Sequence, residues 1–89
     1  MLVWRAKNSN ITDYIRAESI DDAQKEFLKR HKDKAVEFQG VDHKVFKVIL
    51  SDSPSPIFFK GTRQEALAGA RLYIKQWKLD ASISTIEEV

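Results

Sequence analysis

The chain has 89 residues, 43% of them hydrophobic and 31% charged, and its formal net charge is +2. A chain of this length buries only about 60–65% of the surface of its unfolded form, so we expect a single domain over residues 1–89. The absence of cysteine excludes disulfide bonds and thiolate chemistry. No apolar run is long enough to span a membrane and no signal-peptide pattern is visible, so we expect a cytoplasmic protein.

The first half of the chain predicts two strands, a helix and a third strand. Apolar and polar residues alternate over Leu2–Lys7 and Ile11–Ala17, with a polar turn between them, which is typical of a β-hairpin. Ser19 is placed to cap a helix that runs to about His31, because apolar residues then recur at helical spacing. A short strand, Ala35–Gln39, follows.

The second half predicts three strands and one helix. His43–Leu50 is largely apolar on both faces, which indicates a central strand. Ile57–Lys60 is the next strand, and residues 63–78 form a helix with an apolar face. Ser82–Ile86 is the last strand, and we expect residues 87–89 to be a frayed tail.

These elements predict an α+β fold with a mostly antiparallel sheet of four to six strands and two helices packed on one face, in the order β-β-α-β-β-β-α-β. Capping residues precede both helices, Ser19 with Asp22 and Thr62 with Glu65, and a shift of 43 residues superimposes the two sets. Because few other side chains match at this shift, we interpret the spacing as coincidence rather than as an internal repeat.

No pattern in the chain predicts a catalytic, cofactor or metal site. The two histidines, His31 and His43, are not spaced as metal ligands and have no cysteine beside them. No serine lies in a nucleophile elbow, and the three glycines do not form a phosphate-binding loop. We therefore expect no cofactor and predict a protein that is not an enzyme.

The sheet face that points away from the helices is a candidate binding surface. If Trp4 and Phe46 point toward the helices, alternation places basic, aromatic and apolar side chains on the opposite face. There we predict partner binding by Arg5, Lys7, Tyr14, Arg16, Val45, Lys47 and Ile49. Such a face can dock a protein, can stack bases and neutralise phosphates, or can be an ordinary sheet surface. A one-residue slip in register would reverse the two faces. The proline-stiffened loop Ser51–Pro56 could add a contact.

A second candidate is the basic segment at the end of the first predicted helix. As a nucleic-acid contact it would use Lys29, Arg30, Lys32 and Lys34, whose charges can neutralise phosphates. Cations are also expected at a helix C-terminus because they complement the helix dipole, and we favour that interpretation.

Two resemblances point toward nucleic acid. The order α-β-β-β-α between Ser19 and Lys78 resembles a double-stranded-RNA-binding domain, although that family's lysine run is replaced here by Thr62-Arg63-Gln64-Glu65. The stretch Phe59–Ala66 is similar to the strand-to-helix junction of the arm-binding domains of phage integrases. Either resemblance implies a nucleic-acid-binding module.

The function predicted first is a small interaction protein that binds a protein partner stoichiometrically and does not act on a membrane. As a small, cysteine-free chain without a catalytic motif, it is similar to phage accessory proteins that block host machinery, and this resemblance implies an inhibitor. The alternative is the nucleic-acid-binding module, which would use the same sheet face together with the basic segment.

Overall fold

Within residues 2–89, six strands and two helices form in the predicted order, which confirms the α+β class. The computed structural model describes residues 2–89 and divides them into two compact units, of which unit 1 ends at Asp42 and unit 2 begins at His43. The elements of unit 1 are β1 (Leu2–Lys7), β2 (Thr12–Ala17), α1 (Ile20–His31) and β3 (Glu37–Val41). Those of unit 2 are β4 (Val45–Leu50), β5 (Ile57–Lys60), α2 (Arg63–Gln76) and β6 (Ile83–Glu88).

In unit 1 the central strand is β1, which pairs antiparallel with β2 on one side and with β3 on the other. The β1–β2 pairing confirms the predicted hairpin and sets Trp4 opposite Ile15. Helix α1 covers one face of this sheet and buries Phe27 completely. The core of unit 1 consists of Ala6, Ile15, Ala17, Ala23, Phe27 and Ala35.

In unit 2 the central strand is β4, as predicted, between β5 and β6. Val48 and Leu50 pack against Ala70 of α2. The helix approaches β5 closely at Gly69, where a Cβ atom would lie only 2.8 Å from Cδ1 of Phe59. A glycine at this position therefore lets the aromatic ring pack directly against the helix backbone.

The strands are divided between two three-stranded sheets, each with its own helix, where the sequence suggested one layer. Each central strand finds both of its hydrogen-bonding neighbours within its own unit, so no strand of one unit is needed to complete the sheet of the other. That residues 1–89 act as a single domain stays a prediction.

The two units repeat the same architecture, β-β-α-β with the second strand, first strand and third strand side by side. The interpretation of the 43-residue spacing as coincidence is therefore wrong, as far as the order and pairing of the elements are concerned. A shift of 43 superimposes the helices and pairs Ala23 with Ala66, both of which are buried. In the strands the same shift pairs Trp4, which packs on the core, with Lys47, which points away from α2. Because strand faces alternate with a period of two, an odd shift hides the repeat in the strands.

The predicted caps form, with one difference between them. Thr62 accepts from the Glu65 N–H and the Glu65 carboxylate accepts from the Thr62 N–H, which completes a capping box. Ser19 accepts from the Asp22 N–H at 3.2 Å, but Asp22 does not return a bond to Ser19. Aspartate is one methylene shorter than glutamate, the residue that closes this motif.

The chain end is ordered by pairing with β4. Glu87 and Glu88 belong to β6, and the Val89 N–H donates to the Val45 carbonyl at 2.9 Å. The prediction of a frayed tail is wrong, because Glu87 and Glu88 pair with β4. The apolar–polar pattern ends at Ile86, but backbone pairing does not depend on that pattern and continues beyond it.

Candidate interaction surfaces

The outward sheet face of unit 1 has the predicted residues but little open area. Alternation along β1 and β2 turns Arg5, Lys7, Tyr14 and Arg16 away from α1, as expected, because Ala6 and Ile15 fill the core. Arg16 is exposed, whereas the other three are half-buried.

Two of these cations already have partners on β3. Arg5 Nη1 lies 3.5 Å from Gln39 Oε1, and Lys7 Nζ lies 3.0 Å from the Glu37 carboxylate. Each pair joins residues that stand opposite one another in the β1–β3 register. Part of the charge predicted for a partner is therefore used to join neighbouring strands.

In unit 2 the predicted residues Val45, Lys47 and Ile49 also point away from α2, since Val48 and Leu50 pack toward it. Lys47 and Ile49 are half-buried, and Val45 is only 2% exposed. The side chain of Val45 is thus not available to a partner in this structure. Period-two alternation predicted the direction of these side chains but could not predict their burial.

The basic segment at the end of α1 separates into two parts. Lys29, Lys32 and Lys34 are exposed and form no ion pair with any residue between 2 and 89. Arg30 is engaged: its Nη1 donates to Asp13 Oδ2 and its Nε donates to Glu26 Oε1, both at 3.1 Å. Lys32 caps the helix in a left-handed conformation, with φ 58°.

A buried carboxylate in unit 1 was missed by the sequence analysis. Asp13 is 6% exposed and lies on the helix side of β2, between the apolar positions Ile11 and Ile15. Its Oδ2 lies 2.8 Å from Nε2 of His31 and also accepts from Arg30, while its Oδ1 accepts from the Tyr14 N–H.

This cluster ties β2 to the last turn of α1 and supplies partners for a carboxylate that would otherwise be costly to bury. Two features of the sequence could have revealed this cluster. An acidic residue occupies a core-facing position of a predicted strand, and the helix that follows ends in Arg30 and His31.

Unit 2 contains a cleft of about 560 Å³ between α2 and the chain that enters β6. Its walls are Leu67, Arg71, Ile74, Ala81, Ser82 and Ile83. The three helical residues follow one another at spacings of four and three, which places them on one helix face. The apolar members are half-buried, so the cleft is a partly open edge of the core.

Hydrogen bonds fix the strand side of this cleft. The Leu79 N–H donates to the Ile74 carbonyl at 3.0 Å, which closes the end of α2. Ser51 and Ser82 exchange two bonds: the Ser51 N–H donates to the Ser82 carbonyl, and the Ser82 N–H donates to Ser51 Oγ. Hydrogen bonds therefore hold the segment that forms this wall at both of its ends.

The rim of the cleft is basic. Arg71 lines it, and Lys75, one turn further along α2, lies on the same helix face. Both are exposed, and neither forms an ion pair with another residue of the described chain. Residues 43–89 carry seven basic and five acidic side chains, so unit 2 holds the net positive charge of the protein.

A comparison of the chain with protein-family models, curated proteins and solved structures finds no match. Among residues 2–89, no helix is both long enough and apolar enough to cross a membrane. The same residues contain no group of three or more His, Asp or Glu side chains placed to hold a metal ion.

Proposed function

We propose that this chain is an interaction protein that binds a protein partner stoichiometrically and acts by occupying its partner's surface, as a phage-type accessory or inhibitor protein would. The observation that carries the proposal is the cleft of unit 2. Its apolar wall residues, which we call its floor, are Leu67, Ile74, Ala81 and Ile83, and they lie beside a basic rim that forms no ion pair among the described residues. Protein interfaces have this composition, with an apolar centre that excludes water and a charged margin that orients the partner.

The cleft supports binding better than the outward sheet faces do. Its walls offer apolar surface that is accessible yet partly preformed, whereas Val45 is buried and Lys7 is paired with Glu37. Exposed apolar side chains also lie elsewhere on and beside α2, where Leu72 and Trp77 are 62% and 63% exposed. We therefore place the principal contact of the proposed partner on unit 2.

The test compares two variants of neighbouring residues on α2. Leu67→Glu puts a charge on the cleft floor, and Ala68→Glu puts the same charge on an exposed position next to it. The tagged protein and both variants are used to capture partners from a cell extract treated with nuclease, after circular dichroism shows that each variant is folded. Light scattering then gives the stoichiometry of each purified complex.

We expect the unaltered protein and Ala68→Glu to retain the same protein in a fixed ratio, and Leu67→Glu to lose it. Equal capture by all three proteins would contradict a contact at the cleft. Material that is captured from an untreated extract but not from the nuclease-treated one would contradict a protein partner.

The second candidate function is nucleic-acid binding, which the three unpaired lysines of unit 1 favour: Lys29, Lys32 and Lys34. Fluorescence anisotropy with labelled single-stranded and duplex oligonucleotides tests it. Contacts to phosphates predict an affinity that falls steeply as salt rises and weakens when all three lysines are changed to glutamine. No binding at low salt would exclude this candidate.

A further inference from the structure

We infer that the cleft of unit 2 takes an extended segment of the partner that carries both apolar side chains and carboxylates. This inference rests on the proposed function and names the chemistry of the partner at the same site. The apolar floor and the basic rim lie side by side, so a ligand that satisfies both must carry apolar side chains and carboxylates close together.

The apolar requirement follows from the walls. Leu67 and Ile74 from α2 face Ala81 and Ile83 across the cleft, and each of the four is half-buried. An aliphatic side chain bound beside these four residues would remove apolar surface of both partners from water, which is favourable. A volume of about 560 Å³ exceeds the needs of a single side chain and suits more than one.

The carboxylate requirement follows from Arg71. This residue lines the cleft, is exposed, and has no ion pair among the described residues. A guanidinium binds a carboxylate through two parallel hydrogen bonds, which gives orientation as well as attraction. Lys75, one turn beyond Arg71, extends the positive charge along α2, so a segment with further acidic residues is favoured over a single free carboxylate.

Three fluorescein-labelled synthetic peptides of equal length test the inference on the full chain. One alternates leucine and glutamate, one alternates leucine and lysine, and one alternates serine and glutamate. Fluorescence polarisation measures affinity, and ¹⁵N-labelled protein locates the bound peptide by amide shifts. We expect the leucine–glutamate peptide to bind at least about tenfold more tightly than the other two, with shifts at Leu67, Ile74 and Ile83.

A charge reversal provides the matched control. Arg71→Glu should transfer the preference from the leucine–glutamate peptide to the leucine–lysine peptide, because the rim charge is inverted while the floor is kept. Lys60→Glu makes the same change on β5, outside the cleft, and should leave the preference as it was. Both positions are exposed, so neither variant is expected to disturb the fold.

The outcomes separate this inference from the proposed function. Equal binding of the serine–glutamate peptide, or an unchanged preference in Arg71→Glu, would overturn the inferred chemistry. If no peptide binds while partner capture still depends on Leu67, the proposed function stands and the inferred ligand is wrong. If capture does not depend on Leu67, the cleft is not the partner's site.

Discussion

Replacing Gly69 by alanine has two opposite effects on the free energy of unfolding, and the size of each can be estimated. In an exposed helix position, glycine to alanine stabilises a helix by about 1 kcal/mol. At Gly69, an added Cβ would lie 2.8 Å from Cδ1 and 2.9 Å from Cε1 of Phe59, closer than side-chain carbons approach one another. The ring cannot simply turn away, because Phe59 packs against the core of unit 2 and faces Phe46 in the β4–β5 register.

Overpacking of this kind costs about 1–3 kcal/mol. Subtracting the helix-propensity gain leaves a net loss for Gly69→Ala of roughly 1 kcal/mol in the free energy of unfolding. Urea denaturation followed by circular dichroism measures it. The matched variant is Ala68→Gly, which changes the neighbouring exposed position in the opposite sense and should also cost about 1 kcal/mol, through propensity alone.

A double-mutant cycle isolates the contact. Phe59→Val removes the two ring atoms nearest the added Cβ, so Gly69→Ala in that background should stabilise the protein by up to about 1 kcal/mol. The reversal of sign is the decisive result. If Gly69→Ala stabilises the protein even with Phe59 present, the proximity of helix and ring does not limit packing and the reasoning is refuted.

Four further substitutions test the caps and the buried carboxylate by urea denaturation. Thr62→Ala and Ser19→Ala should each lower the free energy of unfolding by about 1 kcal/mol, because each removes the acceptor of a first-turn N–H, and no loss at either position would contradict the assigned cap. Asp13→Ala should cost about 2–3 kcal/mol, since Arg30 and His31 lose their acceptor, although the partly exposed Arg30 can regain water. Asp13→Asn should cost less than Asp13→Ala because it keeps an acceptor, and equal losses would show that charge is the essential property.

Much of the candidate site lay beyond prediction because it depends on contacts between distant parts of the chain. Alternation gave the direction of Arg5 and Lys47 correctly, but whether such side chains are open, paired or buried is decided by what lies beside them. The cleft combines Leu67 and Ile74 with Ile83, residues from elements that no local pattern brings together. The role of Gly69 likewise appears only once Phe59 is placed against it.

Local interactions determined the element types, their order and the helix starts, because alternation, helical periodicity and the caps at Ser19 and Thr62 each act within a few residues. The tertiary structure alone decided that six strands make two sheets. Strand pairing joins residues such as Trp4 and Gly40 that are far apart in the chain, and local sequence does not say which edge a later strand will choose. The same non-local choice produced the repeated units, the buried Asp13 and the cleft beside α2.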